Sequence, residues 1–595
     1  MRKASQVIDQ GSALSTRGKG LHLEWGIFSW GDNPAGCVKW LIVISAAGFP
    51  MGAHAVDPVQ INDHDLRLAL QWSIHCMSNV QNPQDRYIPY FDCYVLQNPP
   101  YMLYNAYYSV PVNAAKILQA LLITEAATGL PVDPLVIERY RQVVFDSFSP
   151  VPGVCAAPDA VGAPYNTYWA INGHAMRALA ALVKYRNDTA AGDLMEEGIA
   201  NLKTYFVDAG YSWAAFREHF NLPTTGGILG QGWPQGSPGY GTDSTCVLAF
   251  LEYYQATGYA PSLEMCQIYA NNLMSLKFPE DGSLPANTFF MLGPTREMNA
   301  LARVALEIGD ATMMNRARAR YDNGLRVVRS STGWVPENTR SQSDTGEVNT
   351  TGELAEAAMI LGDRGWTEYY EDAERYTRAH LLPSQLLDNS FVAAHSDLND
   401  SKDNIKERTK GAFGFPAPYG HIATKNSRHQ GAFHMDIVAG GALSLSEVIK
   451  HSYKFQDGNH YLLMLFDQDN SQILVKGPYP NGNAVEVTLR VGGDLHVRLP
   501  SWVNRDTLKV TGLENTPEKQ FEGLFLILSD LPVGDTFTIQ MDIPFRLETE
   551  TINDRQITIL WRGDSVAAMN QMACPLPFFK EIFIPSIVDT WKTYQ

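Results

Sequence analysis

Two glutamates, Glu337 and Glu353, stand sixteen residues apart in GWVPENTRSQSDTGEVNTTGELAEAAMIL, the first on a loop and the second where an apolar helical pattern begins. Paired carboxyl groups of this kind can flank one sugar. One then protonates the leaving oxygen of a glycosidic bond while the other serves as base, nucleophile or ligand. A glutamate just inside a helix start also arises from dipole chemistry alone, here after Thr350 or Thr351 as N-cap. A second window, RHQGAFHMDIVAGG, supplies His429, His434 and Asp436. Asp436 or Glu353 would oppose Glu337 across a sugar, with His434 beside them. The two histidines with Glu353 are also donor types that suit zinc, but the favoured chemistry is metal-free and needs no cofactor.

Other side chains would line a pocket. Trp233 and Tyr240 in GQGWPQGSPGYGTDST could stack on a ring, and Asp243 either bonds hydroxyls or caps the next helix. Trp169 and His174 precede and enter another helical pattern in YNTYWAINGHAMRALAAL. Arg296, in LGPTREMNALARVAL, carries a guanidinium able to clamp a carboxylate or to pair with a nearby acid.

From about residue 60 to 452, apolar positions recur at helical spacing in twelve segments, beginning near Asp63, Val112, Asp133, Asn172, Ala190, Thr242, Ser262, Arg296, Ala311, Thr351, Thr367 and Phe433. Thr-Gly and Gly-Asp turns close several of them, as in ITEAATG, LEYYQATG and LEIGD. Twelve helices in six hairpins predict an (α/α)6 barrel over 56–452, with the loops before the even-numbered helices gathered at one end. After Phe455 the period changes to two, in YLLMLFD, QILVKG, AVEVTLRV and later runs, which predicts a C-terminal antiparallel β-sandwich over 453–575 and a tail over 576–595. The fold class is thus mostly α plus an all-β unit.

The chain has 595 residues, 46 Lys plus Arg against 63 Asp plus Glu, and no basic run, so nucleic acid is set aside as a partner. Residues 1–55 read as a leader followed by a secretory signal at 39–55, KWLIVISAAGFPMGAHA, which predicts a secreted or periplasmic protein. No other run reaches the ~20 apolar residues of a membrane span. Seven scattered cysteines without a CxxC exclude a zinc ribbon and read mostly as buried apolar residues.

Three strings carry a resemblance. TGELAEAAMILGDRGWTEYYEDAERYTRAHLLPSQ resembles the Glu-Thr-Cys helix and the following Tyr-x-(Asp/Glu)-x-x-Glu-Arg helix of the family 127 β-L-arabinofuranosidases. DLHVRLPSWV and ITILWRGDSVAA resemble two of that family's strands, and the likeness covers roughly residues 230–575. It implies that Glu337 is the general acid/base and that Glu353 stands where the family holds a zinc ligand. Ala355 and the cysteine-free RHQGAFHMDIVAGG replace the family's thiolates, and no cysteine lies between Cys266 and Cys574. An exported glycoside hydrolase acting on a plant or microbial glycan is therefore expected. A polysaccharide lyase using Arg296 with Tyr240 or His434 is the alternative, and a non-catalytic carbohydrate-binding protein a third.

Overall fold

The computed structural model describes residues 64–105, 109–148, 153–155, 169–209, 242–285, 288, 290–338, 345–418, 420, 432–515, 517–552, 555–570 and 578–581. The leader and signal expected over 1–55, together with Trp233, Tyr240 and His429, lie outside the described residues.

Twelve helices of eight residues or more occur among the described residues: α1 (Leu66–Asn79), α2 (Ala115–Thr128), α3 (Pro134–Asp146), α4 (Trp169–Arg186), α5 (Thr189–Ala209), α6 (Thr242–Thr257), α7 (Ala260–Lys277), α8 (Leu292–Ile308), α9 (Ala311–Ala319), α10 (Val348–Asp363), α11 (Tyr369–Tyr376) and α12 (Met435–Ser452). Their starts fall within four residues of those expected. Local chemistry sets the ends. Asp65 and Asp310 accept backbone N–H bonds as N-caps, Asp133 does so ahead of Pro134, and Gly129 and Gly309 close α2 and α8 at φ 66° and 71°.

The even helices pack in succession, α2 on α4, α4 on α6, α6 on α8, α8 on α10 and α10 on α12, and α12 returns to α2. Each odd helix packs outside, α1 on α12, α3 on α2, α5 on α4, α7 on α6, α9 on α8 and α11 on α10. Burial follows this order: every residue of α10 from Val348 to Gly362 is buried. Close approach between neighbours needs small residues. A Cβ on Gly173 of α4 would lie 2.8 Å from the Cys246 nitrogen of α6. The five described cysteines are all buried, as expected of apolar residues. No helix among the described residues is long and apolar enough to cross a membrane.

The C-terminal strands are alternating, as their two-residue period requires. One five-stranded sheet has the order β10 (Lys509–Thr511), β13 (Thr536–Gln540), β8 (Ala484–Leu489), β7 (Ile473–Lys476), β6 (Gln468–Asp469). The other runs β11 (Gln520–Glu522), β12 (Phe525–Leu528), β9 (Leu495–Arg498), β5 (Asn459–Leu462), β4 (Tyr453–Gln456). Val475, Val485, Val487, Leu495, Val497, Leu526 and Phe537 join the two faces in one core. Two features differ from a purely antiparallel sandwich. β5 pairs with β9 in parallel, because the chain crosses to the other sheet between them. FRLETET and QITILW form β14 (Phe545–Ile552) and β15 (Arg555–Arg562) of a separate four-stranded sheet with β16 (Ser565–Met569) and β17 (Lys580–Glu581), whose core includes Trp334 and Ala379 from the helical region.

The three strings that resemble the arabinofuranosidases converge on one buried seam. Arg498 of β9 donates to Glu374 of α11 at 2.9 Å, and Arg378 donates to the other Glu374 oxygen at 2.9 Å. Ser501 donates to Glu371 through its backbone nitrogen at 2.7 Å and its hydroxyl at 2.6 Å. Trp502 and Arg375 both donate to Asp564, at 2.8 Å and 3.1 Å. The motifs therefore join helices to sheets. Because Arg498 and Glu374 are fully buried, Arg498→Met is expected to destabilise by on the order of 3 kcal/mol by leaving one Glu374 oxygen buried without its cation. Urea unfolding measures it, and a loss below about 1 kcal/mol would contradict the seam's role.

Candidate active site

Backbone pairing first stitches the segments that enter the inner helices. The Met291 N–H, just before α8, donates to the Glu337 carbonyl at 3.1 Å, and the Glu337 N–H donates to Thr345 at 2.8 Å. Gly346 and Val348, at the start of α10, donate to Pro416 and Gly414 at 3.2 and 3.3 Å. Gly414 bridges Phe433 in β3 (Ala432–His434), and β3 pairs with β1 (Asp92–Tyr94), which pairs with β2 (Tyr101–Leu103). The entrances to α2, α8, α10 and α12 thus share one continuous rim.

Three carboxyl groups meet on this rim, one of which sequence reasoning missed. α10 begins at Val348, ahead of the expected caps Thr350 and Thr351, so Glu347 is its N-cap and Glu353 sits in its second turn rather than its first. The entry direction is fixed by Gly346 and Val348 bonding to the 414–416 segment, a tertiary constraint that overrides the Thr-Thr cap signal. Glu347 makes no cap bond with its side chain. The residue is 7% exposed, and its carboxyl accepts from the Asn349 amide at 3.2 Å and is pushed up to about 8 by burial, by the Asp436 charge and by the Glu337 charge. It is protonated at neutral pH. Glu337 is held by the Thr345 hydroxyl, which donates to its Oε2 at 3.1 Å.

Asp436 lies in the first turn of α12, with its side chain one-fifth exposed at 20%. The Lys116 Nζ donates to the Asp436 carbonyl at 2.8 Å, lies 3.6 Å from its carboxylate, and reaches Asn349 Oδ1 at 3.4 Å. Burial holds the Lys116 pKa below its ordinary value, opposed by the Asp436 charge. Asn349 therefore links the lysine beside Asp436 to the Glu347 carboxyl. Gly440 makes room for this link, since a Cβ there would lie 1.7 Å from Asn349 Oδ1. Lys116 is the one charged residue in the apolar run VPVNAAKILQALLI, and that is its signal in the sequence.

Glu353 is placed differently. Arg296 donates to its Oε1 at 2.7 Å and Asn299 to its Oε2 at 2.6 Å. Burial opposes ionisation, but the Arg296 guanidinium and these bonds hold the carboxyl below its ordinary range. Asn299 also donates to Glu356 at 2.8 Å, and Arg303 and Ser444 reach Glu356 at 2.9 and 2.6 Å. These residues except Asn299, with Arg177, Glu252 and Lys116, surround a cavity of ≈ 30 Å³ between the helices. Glu353 and Asp436 thus both approach Lys116, while Arg296 is committed to Glu353 instead of standing open for a substrate carboxylate.

The histidines also part company. His434, the N-cap of α12, sets its Nε2 3.0 Å from Asp92 Oδ1, between the Phe91 and Phe415 rings at 5.0 and 4.7 Å. His174 is 5% exposed inside α4, and burial, then Arg296, Lys116 and Arg177, keep it neutral. Trp169 is the first residue of α4 and Asp243 the second of α6. Asp243 is therefore inside the helix instead of at the N-cap position.

The donor set does not fit a zinc ion at Glu353. Both its oxygens are taken by an arginine and an asparagine, Ala355 offers no ligand, and His434 is turned to Asp92. Among the described residues, no group of three His, Cys, Asp or Glu side chains converges as a metal site would require.

The helices and sheets place the chain's fold beside those of solved glycoside hydrolases. One such solved structure, a glycoside hydrolase, is 13% identical with a TM-score of 0.52, covering 76% of each chain. The family 127 β-L-arabinofuranosidase from Geobacillus stearothermophilus T6 is 13% identical with a TM-score of 0.51, over 84% of this chain and 80% of that one. A second family 127 β-arabinofuranosidase is 12% identical with a TM-score of 0.50, over 85% and 82%. The structural likeness agrees with the resemblance read in the sequence. No family model and no curated protein matches the chain.

Proposed function

We propose that the chain is an exported glycoside hydrolase in which residues 56–452 form a catalytic (α/α)6 barrel and residues 453–575 a supporting β region. The observation that carries this reading is the meeting of Glu337, Glu347 and Asp436 on one rim, with Glu347 protonated at neutral pH and Asp436 beside a lysine. Glu347 is the general acid that protonates the leaving oxygen. Asp436 is the partner carboxyl on the other side of the sugar, as nucleophile or as base for water, and Glu337 keeps the Glu347 proton in place by its charge. Glu353 is a positioning anion, locked by Arg296 and Asn299. The substrate is a plant or microbial oligo- or polysaccharide.

Products from a polysaccharide panel test the reading. New reducing ends without an unsaturated chromophore are expected. An ultraviolet-absorbing unsaturated product would make it a lyase, and silence across the panel would leave binding alone. Chelation supplies a second test. Because Glu353 is occupied by Arg296, treatment with EDTA is expected to leave turnover within about twofold, and a loss restored by zinc would overturn the metal-free mechanism.

A further inference from the structure

The rim continues past the three carboxyl groups onto a face that the proposed chemistry does not use. Strands β2, β1 and β3 form a small antiparallel sheet in which Tyr94 lies opposite Tyr101 and Asp92 opposite both Leu103 and His434. Alternation places Asp92, Tyr94, Tyr101, Leu103 and His434 on one face, and Cys93, Met102 and Phe433 on the buried other. The Tyr94 and Tyr101 rings stack at 5.0 Å and 28°, both remain half-buried, and Leu103 is 46% exposed. An aromatic pair, an exposed aliphatic side chain and a carboxylate on one face match a sugar ring, which has an apolar face of C–H groups and an equatorial edge of hydroxyls. A hydrophobic protein partner would not call for the Asp92–His434 pair at the centre of the patch.

The face is continuous with the catalytic rim. His434 pairs with Asp92, its ring meets Phe415, and the backbone on either side of Phe415 binds the residues flanking Glu347. From β1 through β3 and the Gly414 segment to Val348 is three strand steps, or ~14 Å at ~4.8 Å each. That is the span of a short oligosaccharide. We propose that Tyr94 and Tyr101, with Asp92, form a remote subsite that binds a neutral sugar of the same glycan chain whose bond is cleaved at the rim. The inference rests on the glycoside hydrolase reading only for its direction along the substrate, because glycan binding on this face can be read without turnover.

The experiment uses the full chain as wild type, Tyr94→Ala, Tyr101→Ala and Tyr101→Phe, each checked for an unchanged melting temperature. Native gels containing soluble arabinan, mannan, xylan or mixed-linkage glucan measure binding, and hydrolysis of the same polysaccharides and of aryl monosaccharide glycosides measures turnover. Wild type is expected to be retarded in at least one gel. Each alanine variant should lose about tenfold in affinity there, the size of one stacking contact, while Tyr101→Phe keeps it. Any hydrolysis of aryl glycosides should be unchanged by all three variants. Retardation that the alanine variants do not weaken, or no retardation of wild type in any gel, overturns the subsite. Tyrosine-dependent retardation without hydrolysis of any substrate would uphold the subsite and overturn the hydrolase. If an alanine variant melts early, Leu103→Asp replaces it, placing a charge on the exposed part of the same face with the same expected loss.

Discussion

Glu347→Gln is expected to lower turnover by roughly 10²–10⁴-fold while leaving the fold intact, the range for losing a general acid. Glutamine keeps the shape and can still accept from Asn349, but it has no proton to give. The same change has a second signature, in pH. Wild-type activity should fall as pH rises through about 8, where Glu347 loses its proton, and residual activity in the variant should lack that limb. Stability moves in the opposite sense from the usual carboxylate. The folded carboxyl titrates near 8 and the unfolded one near its ordinary 4.5. Between those values the folded state holds a proton that the unfolded chain has released, so stability is greatest below about 4.5 and declines as pH rises towards 8. Glutamine does not ionise, so the variant should be more stable than wild type at pH 8 by on the order of a few kcal/mol, at ~1.4 kcal/mol per unit, and no more stable at pH 4.5. Urea titrations at the two pH values decide it. A variant with more than half of wild-type activity and an unmoved basic limb would end the assignment of Glu347.

The sequence made the helices legible because each had its own periodicity and punctuation: Asp65, Asp133 and Asp310 cap, Gly129 and Gly309 stop. The site was legible only where a helix start was local. Asp436 drew attention because it lies in RHQGAFHMDIVAGG, which stands where the resembled family carries its thiolates, and α12 begins one residue before it. Glu347 was passed over because the start of α10 is set by bonds to Gly414 and Pro416, nearly seventy residues on, while Thr350 and Thr351 offered a plausible cap nearby. Glu353 drew attention by its spacing from Glu337, yet its partner Arg296 comes from a different hairpin, and no linear pattern reports that contact. The ion network that joins Arg498, Glu374 and Asp564 was visible as motifs but not as a seam, since its members are up to 190 residues apart.

Glu337→Gln and Asp436→Asn separate the two remaining carboxyl groups. Both charges raise the Glu347 pKa, Asp436 more than Glu337. Removing either makes Glu347 easier to ionise, so in both variants the basic limb of the pH–rate profile should move to lower pH, and further for Asp436→Asn. Their effects on the maximum rate should differ. Asp436 faces the Lys116 ammonium at 3.6 Å and stands in the first turn of α12, where the helix dipole also favours its charge. It is placed to act as nucleophile or base, and its loss should cost roughly 10²–10⁴-fold. Glu337, acting on Glu347 through its charge, should cost less at the optimum, on the order of tenfold. Sequence resemblance alone would make Glu337 the acid/base and reverse this order. A loss of 10³-fold or more in Glu337→Gln, with the limb unmoved and Glu347→Gln still active, would return the acid to Glu337. If the order is as expected, the anomer first released by the wild type, read by NMR before mutarotation, assigns the role of Asp436: retention means that it forms a glycosyl intermediate, and inversion that it activates water.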